Sequence, residues 1–515
     1  MKKRGSITVY LCLMLLVMIS VLGASFVSVR VAAGRMQCAN ASDQAMFSMF
    51  AQYDRDLFDR FDVFFIDGSC GGSGLHADKL RERYRKAADY ILHPNQGMAA
   101  FLGNNLLRLQ TEDCSICGYT LATDVNGSVF ASQAVDFMKE TLGIQGVSLL
   151  LMRTQDQAAK TSGQEAAGAS VKEAGADTDY AEVKAISDEA KEKDRLEKER
   201  EAEETGSPPS ATEAEIAADN AEKKYVNPLP DIAELRRRTI LSLVVSDMSS
   251  LSDRSVDSGE LLSGREKESG VGVIDVPPGI GGFYDRLLFD EYIMQHFGNY
   301  TDPEKAGPLL YSTEYILHGK KDDRANLEAQ VIRLLAVREA VNLVALYTDP
   351  TLRSELSAVS AGIATMLFIP EASGVIQAVL AVGWAFCESI VDVTALLRGM
   401  GNAICKDSST WQVPVESIAA LLAGGAQSLV RNVPGGITYE DYLRVDMLLK
   451  GGDDLIVRTM DMAEGVIRAG ERSAFRLDCC VESLSVEMKV RSEDLILLVA
   501  EKKGSYREYT RKQES

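Results

Sequence analysis

The chain has 515 residues, of which 46% are apolar and 25% charged, and its formal net charge at pH 7 is −20. This length accommodates two or three domains, or one large domain with an insertion, and the composition is ordinary for a globular protein. The negative charge argues against nucleic acid or an anionic membrane surface as a partner, because both would repel it.

An uncharged apolar run, residues 7–29, follows a short basic tail, residues 1–6. A run of about 20 such residues is long enough to cross a bilayer as a helix. The positive-inside rule keeps a basic tail in the cytoplasm. We therefore expect a single transmembrane helix at residues 7–30, with the N-terminus cytoplasmic and the rest of the chain extracytoplasmic at the cell membrane.

Two kinds of cleavage are the alternatives to this uncleaved anchor. Ala32, Ala33 and Gly34 offer a signal-peptidase site, although the apolar run is longer than the core of a secretory signal. A prepilin-type leader would be cut after Gly5 and would carry Glu at the fifth residue after the cut. That position is Tyr10, so the match to a prepilin leader is incomplete.

The stretch after the apolar run has the pattern of an amphipathic helix. Its apolar residues recur at steps of three or four, or sums of these, from Met36 to Phe61, and only Gly34 interrupts the helical pattern. This spacing places them on one helix face. We expect one continuous helix that leaves the membrane and reaches Phe61, and the alternative is a core helix that follows the anchor.

Residues 31–152 are predicted to form a helix followed by a small α+β part. Val63–Ile66 has the pattern of a short strand. Residues 119–121 and 128–130 flank the turn sequence Asp124-Val125-Asn126-Gly127, which is typical of a β-hairpin.

A charged segment, residues 153–228, separates this part from the rest of the chain. It is rich in Ala, Glu and Lys and is broken at Gly206-Ser207-Pro208-Pro209. Such a composition buries too little apolar surface to offset the entropy of ordering, so we expect a disordered or solvated helical insertion.

Residues 229–515 are predicted to form a helix-rich α+β part. Helical patterns dominate, while Leu309–Leu317 has the pattern of a strand and Phe475–Val490 alternates as a C-terminal strand. We expect this last strand to join the sheet begun near Val63 or Tyr119. The predicted fold class is a helix-rich α+β ectodomain with a small antiparallel sheet, preceded by the transmembrane helix.

A second apolar region, residues 356–387, is divided at Pro370. Each half falls short of the length that spans a bilayer, so we expect a buried helical hairpin rather than a second spanning segment. Glu388 and Asp392 lie one turn apart on its second helix.

Arg338 and Asn342 interrupt the apolar pattern of the preceding long helix, and charged groups in such surroundings must be paired. One hypothesis joins Arg338, Asn342, Glu388 and Asp392 in a structural polar network, with a buried ion pair between Arg338 and Glu388. The other makes Glu388 and Asp392 a paired-carboxylate site for acid/base chemistry or for a cation.

The other chemistry-bearing residues form no recognisable site. The spacing of Cys114 and Cys117 is that of a redox motif, but no second pair completes a zinc site. The cysteines outside the apolar run allow disulfides of undetermined pairing, and free thiols are the equally compatible alternative in an anaerobic host. Four histidines lack metal-ligand spacing: His76, His93, His296 and His318. We expect no enzymatic activity, no cofactor and no metal ion.

Two parts of the sequence resemble known families. Gly5–Tyr10, the single span and Gln37–Ala45, with Asp43, resemble the N-termini of TadE/TadG-like proteins of the tight-adherence (Tad) pilus system. A second set resembles an uncharacterised-domain family of Gram-positive anaerobes found at Tad pilus loci: Leu310–Gly319, Asn326, Arg338–Asn342, Trp384–Glu388, Asp392 and Tyr439–Leu443. This resemblance implies no cofactor and no catalytic residues.

These observations together predict a single-pass, membrane-anchored extracytoplasmic protein. We expect it to be a structural or assembly component of a tight-adherence-type pilus or secretion system, with the lipid bilayer and components of that system as partners. The alternative is an extracytoplasmic enzyme, a hydrolase or a cation-dependent one, that uses Glu388 and Asp392.

Overall fold

The computed structural model describes residues 4–93, 107, 109–175, 180–205, 211–272, 280–303, 305, 307–470, 472–492 and 497–505. Residues 1–3 of the predicted cytoplasmic tail and the predicted break at residues 206–209 lie outside the described residues. The fold is helix-rich, 66% helical, with a four-stranded antiparallel sheet and an N-terminal apolar helix. The predicted fold class is therefore confirmed.

The helices and strands have the following bounds in chain order. The helices are α1 (Arg4–Phe50), α2 (Arg55–Phe61), α3 (Ala77–Leu92), α4 (Asp124–Gly175), α5 (Tyr180–Thr205), α6 (Glu213–Glu222), α7 (Leu229–Leu235), α8 (Ile240–Val244), α9 (Phe283–His296), α10 (Ser312–His318), α11 (Asp323–Thr348), α12 (Pro350–Met366), α13 (Ser373–Leu397), α14 (Ile418–Leu422), α15 (Ala426–Leu429), α16 (Tyr439–Lys450) and α17 (Asp453–Arg468). The strands are β1 (Ile66–Asp67), β2 (Leu109–Leu121), β3 (Cys480–Ser492) and β4 (Leu497–Ser505).

Strand β3 is the centre of the sheet. It pairs antiparallel with β2 over its whole length, and with β1 and β4 in succession along its other edge. The predicted C-terminal strand is confirmed from Cys480 onward, whereas Leu477–Cys479 form a short 3-10 helix before it. The strand pairs with both of the earlier regions that were offered as alternative neighbours. Strands β1 and β2 lie more than 350 positions before their partners on β3, whereas β4 directly follows β3 in the chain.

The chain divides into two compact units. Unit 1 comprises Met1–Thr141, Ser258–Asp285 and Ile456–Ser515, and unit 2 comprises Leu142–Asp257 and Arg286–Leu455. The sheet belongs to unit 1, and the helices α7, α8 and α10–α16 belong to unit 2.

The core of unit 1 lies between one face of the sheet and two helices. The second half of α1 supplies small and flexible apolar side chains, and α3 supplies one residue per turn. Alternate residues of β3 point at these helices, as a half-buried strand requires. The buried residues are Cys38, Ala41, Ala45, Met46, Met49, Phe50, Leu80, Tyr84, Ala88, Leu92, Leu484, Val486, Met488 and Val490.

Three local predictions from the sequence are wrong. The continuous helix ends at Phe50, because the side chain of Asp54 accepts the Leu57 N–H at 3.1 Å and caps a new helix. The predicted strand at residues 309–317 is occupied largely by α10, which stops at Gly319 with φ 64°. Gly319 supplies the left-handed residue that ends a helix.

The predicted hairpin at residues 119–130 is also wrong in its second arm. The turn sequence does adopt left-handed conformations, with φ of 50° at Val125 and 54° at Asn126. The chain then continues as α4, because Phe130, Ala134 and Met138 recur at helical spacing and are all buried. The strand that pairs with β2 is β3 instead.

In unit 2, the second apolar region forms the expected pair of helices. The helices α12 and α13 pack against each other and are divided at Pro370. Their neighbour α11 packs along α13, which is buried from Cys387 to Leu397. Residues 153–175 continue α4, and α5 and α6 follow in the charged segment.

Candidate functional site

Helices α11 and α13 bring the four predicted polar residues together inside unit 2. Arg338 and Asn342 are one turn apart on α11, and Glu388 and Asp392 are one turn apart on α13. All four side chains have no solvent exposure. Ionisable groups survive such burial only when they are paired and hydrogen-bonded, so the partners of each group define what the site is.

Arg338 pairs with Asp392, not with Glu388 as the sequence predicted. Its Nε and Nη2 donate to Asp392 Oδ2 at 3.0 and 2.8 Å. Its Nη1 donates to the carbonyl of Ala403 at 2.8 Å and lies 3.3 Å from the hydroxyl of Tyr442. The predicted Arg338–Glu388 pair is wrong, because Asp392 lies one turn further along α13 and takes up the guanidinium.

Glu388 pairs with Lys406, a residue of the segment between α13 and α14. The Lys406 ammonium donates to Glu388 Oε1 at 2.5 Å and lies 2.8 Å from Asp392 Oδ1. The backbone N–H groups of Gln412 and Val413 donate to the Glu388 carboxylate at 2.8 to 3.1 Å. The side chain of Lys406 is only 1% exposed, so this second ion pair is as buried as the first.

Two amides complete the shell of Asp392. Asn342 Nδ2 donates to Oδ2 at 3.1 Å, and Gln412 Nε2 donates to Oδ1 at 3.1 Å. Each oxygen of the two carboxylates therefore contacts at least two donors. Because the network holds two cations and two carboxylates, it carries no uncompensated charge.

Burial and pairing act differently on the two carboxylates. Burial raises the pKa of Glu388, and Lys406 only partly opposes that shift. Burial also acts to raise the pKa of Asp392, but Arg338 and Lys406 outweigh it and hold that pKa below its ordinary value. Asp392 is therefore the firmly ionised member of the pair.

Aromatic packing covers the same end of α13. The indole N–H of Trp384 donates to the carbonyl of Val413 at 2.7 Å, and that of Trp411 donates to the same oxygen at 3.0 Å. The two rings meet edge to face with centroids 5.3 Å apart. These contacts hold the segment with Gln412 against α13, so the donors to Glu388 are fixed in place.

This arrangement is suited to fixing helix positions. A carboxylate that acts on a substrate must be able to reach it, and both carboxylates here are enclosed and saturated with donors. Over the described ranges, which omit residues 94–106 among others, no group of three or more His, Cys, Asp or Glu side chains is arranged to hold a metal ion.

Lys406 and Gln412 were missed by sequence reasoning. Both lie in an irregular segment, where no periodicity marks a residue as buried. Charge counting was the available signal, because one arginine cannot neutralise two buried carboxylates. The sequence therefore required a second cation near the two carboxylates, but it did not indicate which lysine or arginine this would be.

A second buried polar cluster surrounds Glu314 of α10. Its Oε1 accepts the hydroxyl of Tyr439 at 2.6 Å and the N–H of Tyr300 at 2.8 Å. Burial raises the pKa of Glu314 to about 7. This carboxyl is surrounded by neutral donors, in contrast to the ion pairs of α13.

The histidines and cysteines are dispersed. His93 and His296 contact backbone carbonyls of their own helices, and His318 contacts Gln330 at 2.8 Å. All nine cysteines are free, including Cys114 and Cys117 on β2.

Helix α1 has two halves of opposite character. Its large apolar side chains from Ile7 to Val29 are 50 to 66% exposed. Its residues from Cys38 to Phe50 include the apolar side chains that pack on the sheet. The most apolar stretch has a mean hydropathy of 2.5 and is long enough to cross a membrane.

Comparison with known proteins identifies a family. No curated protein and no solved structure matches the chain. The model of a family of unknown function, DUF5702, matches residues 218–492, slightly more than half of the chain. This match includes Arg338, Asn342, Glu388 and Asp392, and it does not include α1. The chain belongs to the DUF5702 family of unknown function.

Proposed function

We propose that this protein is a single-pass membrane protein with a structural or assembly role outside the cytoplasm. Residues 7–30 cross the membrane, the basic tail stays in the cytoplasm, and the chain from residue 31 onward is extracytoplasmic. Its partners are components of a tight-adherence-type pilus or secretion system.

One observation carries this proposal. Helix α1 exposes its apolar side chains to solvent over its first half, and its second half packs in the core of unit 1. The side chains from Ile7 to Val29 are exposed, while Ala41, Ala45 and Met46 have no exposure at all. Exposed apolar surface on this scale is stable only in lipid or against another protein. A helix shared between bilayer and sheet joins unit 1 directly to the membrane-spanning segment, without a linker between them.

The role in assembly is supported by the resemblance of the N-terminal segment to TadE/TadG-like proteins. The Asp43 segment of that resemblance lies at the surface of the sheet, where Asp43 pairs with Lys502 at 2.8 Å. A protein that presents a rigid domain beside the membrane is suited to positioning other subunits.

The second candidate function is an extracytoplasmic enzyme that uses Glu388 and Asp392. Against it stand the burial of both groups and the donors on all four carboxylate oxygens. Activity would require the network to open, which would leave Arg338 and Lys406 without partners. The structural role is therefore the stronger proposal.

Topology can be tested on intact cells that express the full-length chain. Trypsin added outside should cut the protein in α5, where Lys191, Lys193 and Arg195 are exposed. A cytoplasmic marker protein that survives the treatment is the control for cell integrity. Full protection of the chain in intact cells, with digestion only after lysis, would contradict the proposed orientation.

Partners and processing can be tested together. Chemical cross-linking in membranes, affinity capture and mass spectrometry should recover pilus or secretion subunits, together with the N-terminal peptide. The matched control replaces residues 7–29 by leucines, which retains insertion but removes sequence-specific contacts in the span. A start at Ser6 would indicate a prepilin leader, and recovery of no assembly component would count against the proposed role.

A further inference from the structure

Helix α1 runs alongside strand β4 in the same direction. A Cβ atom on Gly34 would lie 3.0 Å from Leu498 Cδ1, so the helix and the strand are in contact there. Asp43 pairs with Lys502 further along, and Met46 packs directly on Gly504. From Gly34 to Met46 the helix rises about 18 Å, and from Leu498 to Gly504 the strand rises about 20 Å, so the two stay in step.

This alignment fixes the height of β4 relative to the apolar run. Gly34 lies about 7.5 Å beyond Val29 along the helix axis. Leu497 lies one residue before Leu498, about 3.3 Å back toward the apolar run. Leu497 is therefore about 4 Å beyond the level at which the run ends.

The headgroup region of a bilayer is roughly 5–8 Å thick on each side of the hydrocarbon core. A helix of 23 apolar residues is about 34 Å long and fills that core. With residues 7–29 in the core, the first residues of β4 fall within the headgroup region on the far side.

The residues of β4 that face away from α1 change character along the strand. Leu497 and Val499 are 50% and 53% exposed, and their cross-strand neighbours are Arg491 and Lys489. The next outward residues are Glu501 and Lys503, which are also exposed. On this face of β4, the exposed apolar residues thus lie at the N-terminal end of the strand, which is the end nearer the apolar run of α1.

We propose that this end of the sheet, with Leu497 and Val499, lies in the membrane interface and forms a second contact with the lipid beside the helix. The proposal rests on the proposed anchoring by residues 7–30. Two contacts at separate points fix both the tilt and the rotation of unit 1, which a single helix leaves free.

The bilayer suits this surface better than a second copy of the chain does. The surface continues directly from the anchor, so it reaches lipid without any further association. Its charges are paired, since Arg491 contacts Glu112 at 2.8 Å and Lys489 contacts Glu487 at 3.2 Å. A nearly neutral rim around exposed apolar side chains fits a zwitterionic interface and requires no anionic lipid.

Tryptophan scanning in vesicles tests the proposal on the full-length chain. Leu497→Trp and Val499→Trp are made as separate variants. Both positions are half exposed, so each tolerates a larger side chain. Each variant is reconstituted in phosphatidylcholine that carries bromine, a quencher, either near the headgroup or near the bilayer centre. Emission from Trp384 and Trp411 is subtracted by using the wild-type chain.

Both variants should lose emission to bromine, and they should lose more to the shallow bromine than to the deep one. Lys503→Trp, on the same face at the far end of β4, is the matched control and should be unaffected. Met18→Trp, at the middle of the apolar run, should be quenched most by the deep bromine.

The outcomes separate the two proposals. If Met18→Trp is quenched while Leu497→Trp and Val499→Trp behave like Lys503→Trp, the anchor stands and the second contact is overturned. The same result accompanied by concentration-dependent cross-linking at Leu497 would assign the surface to a second copy. If Met18→Trp is not quenched either, the anchoring itself fails and the second contact fails with it.

Discussion

Among the described residues, two helices are long and apolar enough to cross a membrane, and they differ in how far the protein buries them. The stretch from Ile7 to Phe50 has a peak mean hydropathy of 2.5, and none of that peak is buried. The stretch from Pro370 to Leu397 has a peak mean hydropathy of 1.7, and 61% of that peak is buried in the protein. Apolar composition alone therefore does not distinguish an anchor from a core helix.

Ionisable residues distinguish the two helices. Residues 7–29 of α1 contain no charged side chain, whereas α13 contains Glu388 and Asp392. In lipid these carboxylates would be very costly, but unit 2 supplies Arg338 and Lys406 as partners. An apolar helix whose ionisable side chains have oppositely charged partners within the protein is thus a core helix. The following predictions test that rule.

The largest effect is expected from breaking a pair on α13. Glu388→Ala leaves Lys406 buried and half-paired, which should lower the free energy of unfolding by about 3–5 kcal/mol. Denaturant unfolding of the detergent-solubilised chain measures this loss. Glu388→Gln, which keeps the shape, should cost less, and Glu371→Ala, at an exposed position just before the start of α13, should cost nothing. An unchanged unfolding midpoint in Glu388→Ala would refute the role of the pair.

The reverse experiment adds a charge to α1. Met18→Asp places an unpaired carboxylate at the middle of the apolar run and should disfavour membrane insertion by about 2.5–3.5 kcal/mol. The fraction of protein that resists carbonate extraction from membranes measures insertion. Met36→Asp, beyond the run and exposed, is the matched control. Equal extraction of both variants would mean that residues 7–29 do not reside in lipid.

Glu314 provides the contrasting case to Glu388 and Asp392, because it is a buried carboxyl whose hydrogen-bond donors are neutral. Its pKa is raised by burial to about 7 from 4.5. Below pH 4.5 both folded and unfolded chains hold this proton, so the contribution to stability is complete. Between pH 4.5 and 7 the unfolded chain releases its proton first, so stability should fall by about 3 kcal/mol as the pH rises.

Comparison with Glu314→Gln isolates this fall from other titrating groups. The variant has no proton to lose at this position, so the difference in unfolding free energy between it and the wild type should change over this pH range. Tyr439→Phe removes a donor to the charged form, so it should raise the pKa of Glu314 further, enlarge the total fall and extend it to higher pH. A pH-independent difference between wild type and Glu314→Gln would contradict the shifted pKa.

Sequence periodicity located the helices better than it located the contacts between them. The spacing of Glu388 and Asp392 predicted that both face one side of a helix, and the structure brings them together with Arg338 and Asn342. The predicted partner was wrong because Glu388 and Asp392 are equally compatible with Arg338 in sequence. The choice depends on how far α11 and α13 are displaced along each other, which no local pattern encodes.

Non-local pairing explains the wrong hairpin. The residues Val125, Asn126 and Gly127 do adopt left-handed conformations at the start of α4, but the partner of β2 lies at residues 481–492, more than 350 positions later. Local turn chemistry predicts that the chain reverses and leaves open which strand becomes the neighbour. The alternating pattern of β3 was sufficient to predict that strand, because one of its faces covers the core.

The smallest effect concerns two glycines, one in each apolar helix. A Cβ atom on Gly383 would lie 2.8 Å from Ile232 Cγ2, so Gly383→Ala should overpack α13 against α7 and cost about 1–3 kcal/mol. Gly23 has nothing within 4 Å of the corresponding position, so Gly23→Ala should leave the free energy of unfolding unchanged. Thermal unfolding of both variants measures the difference. A loss of stability in Gly23→Ala would mean that α1 is packed against protein at that point, and its exposed apolar surface would then be an interface between proteins and not with lipid.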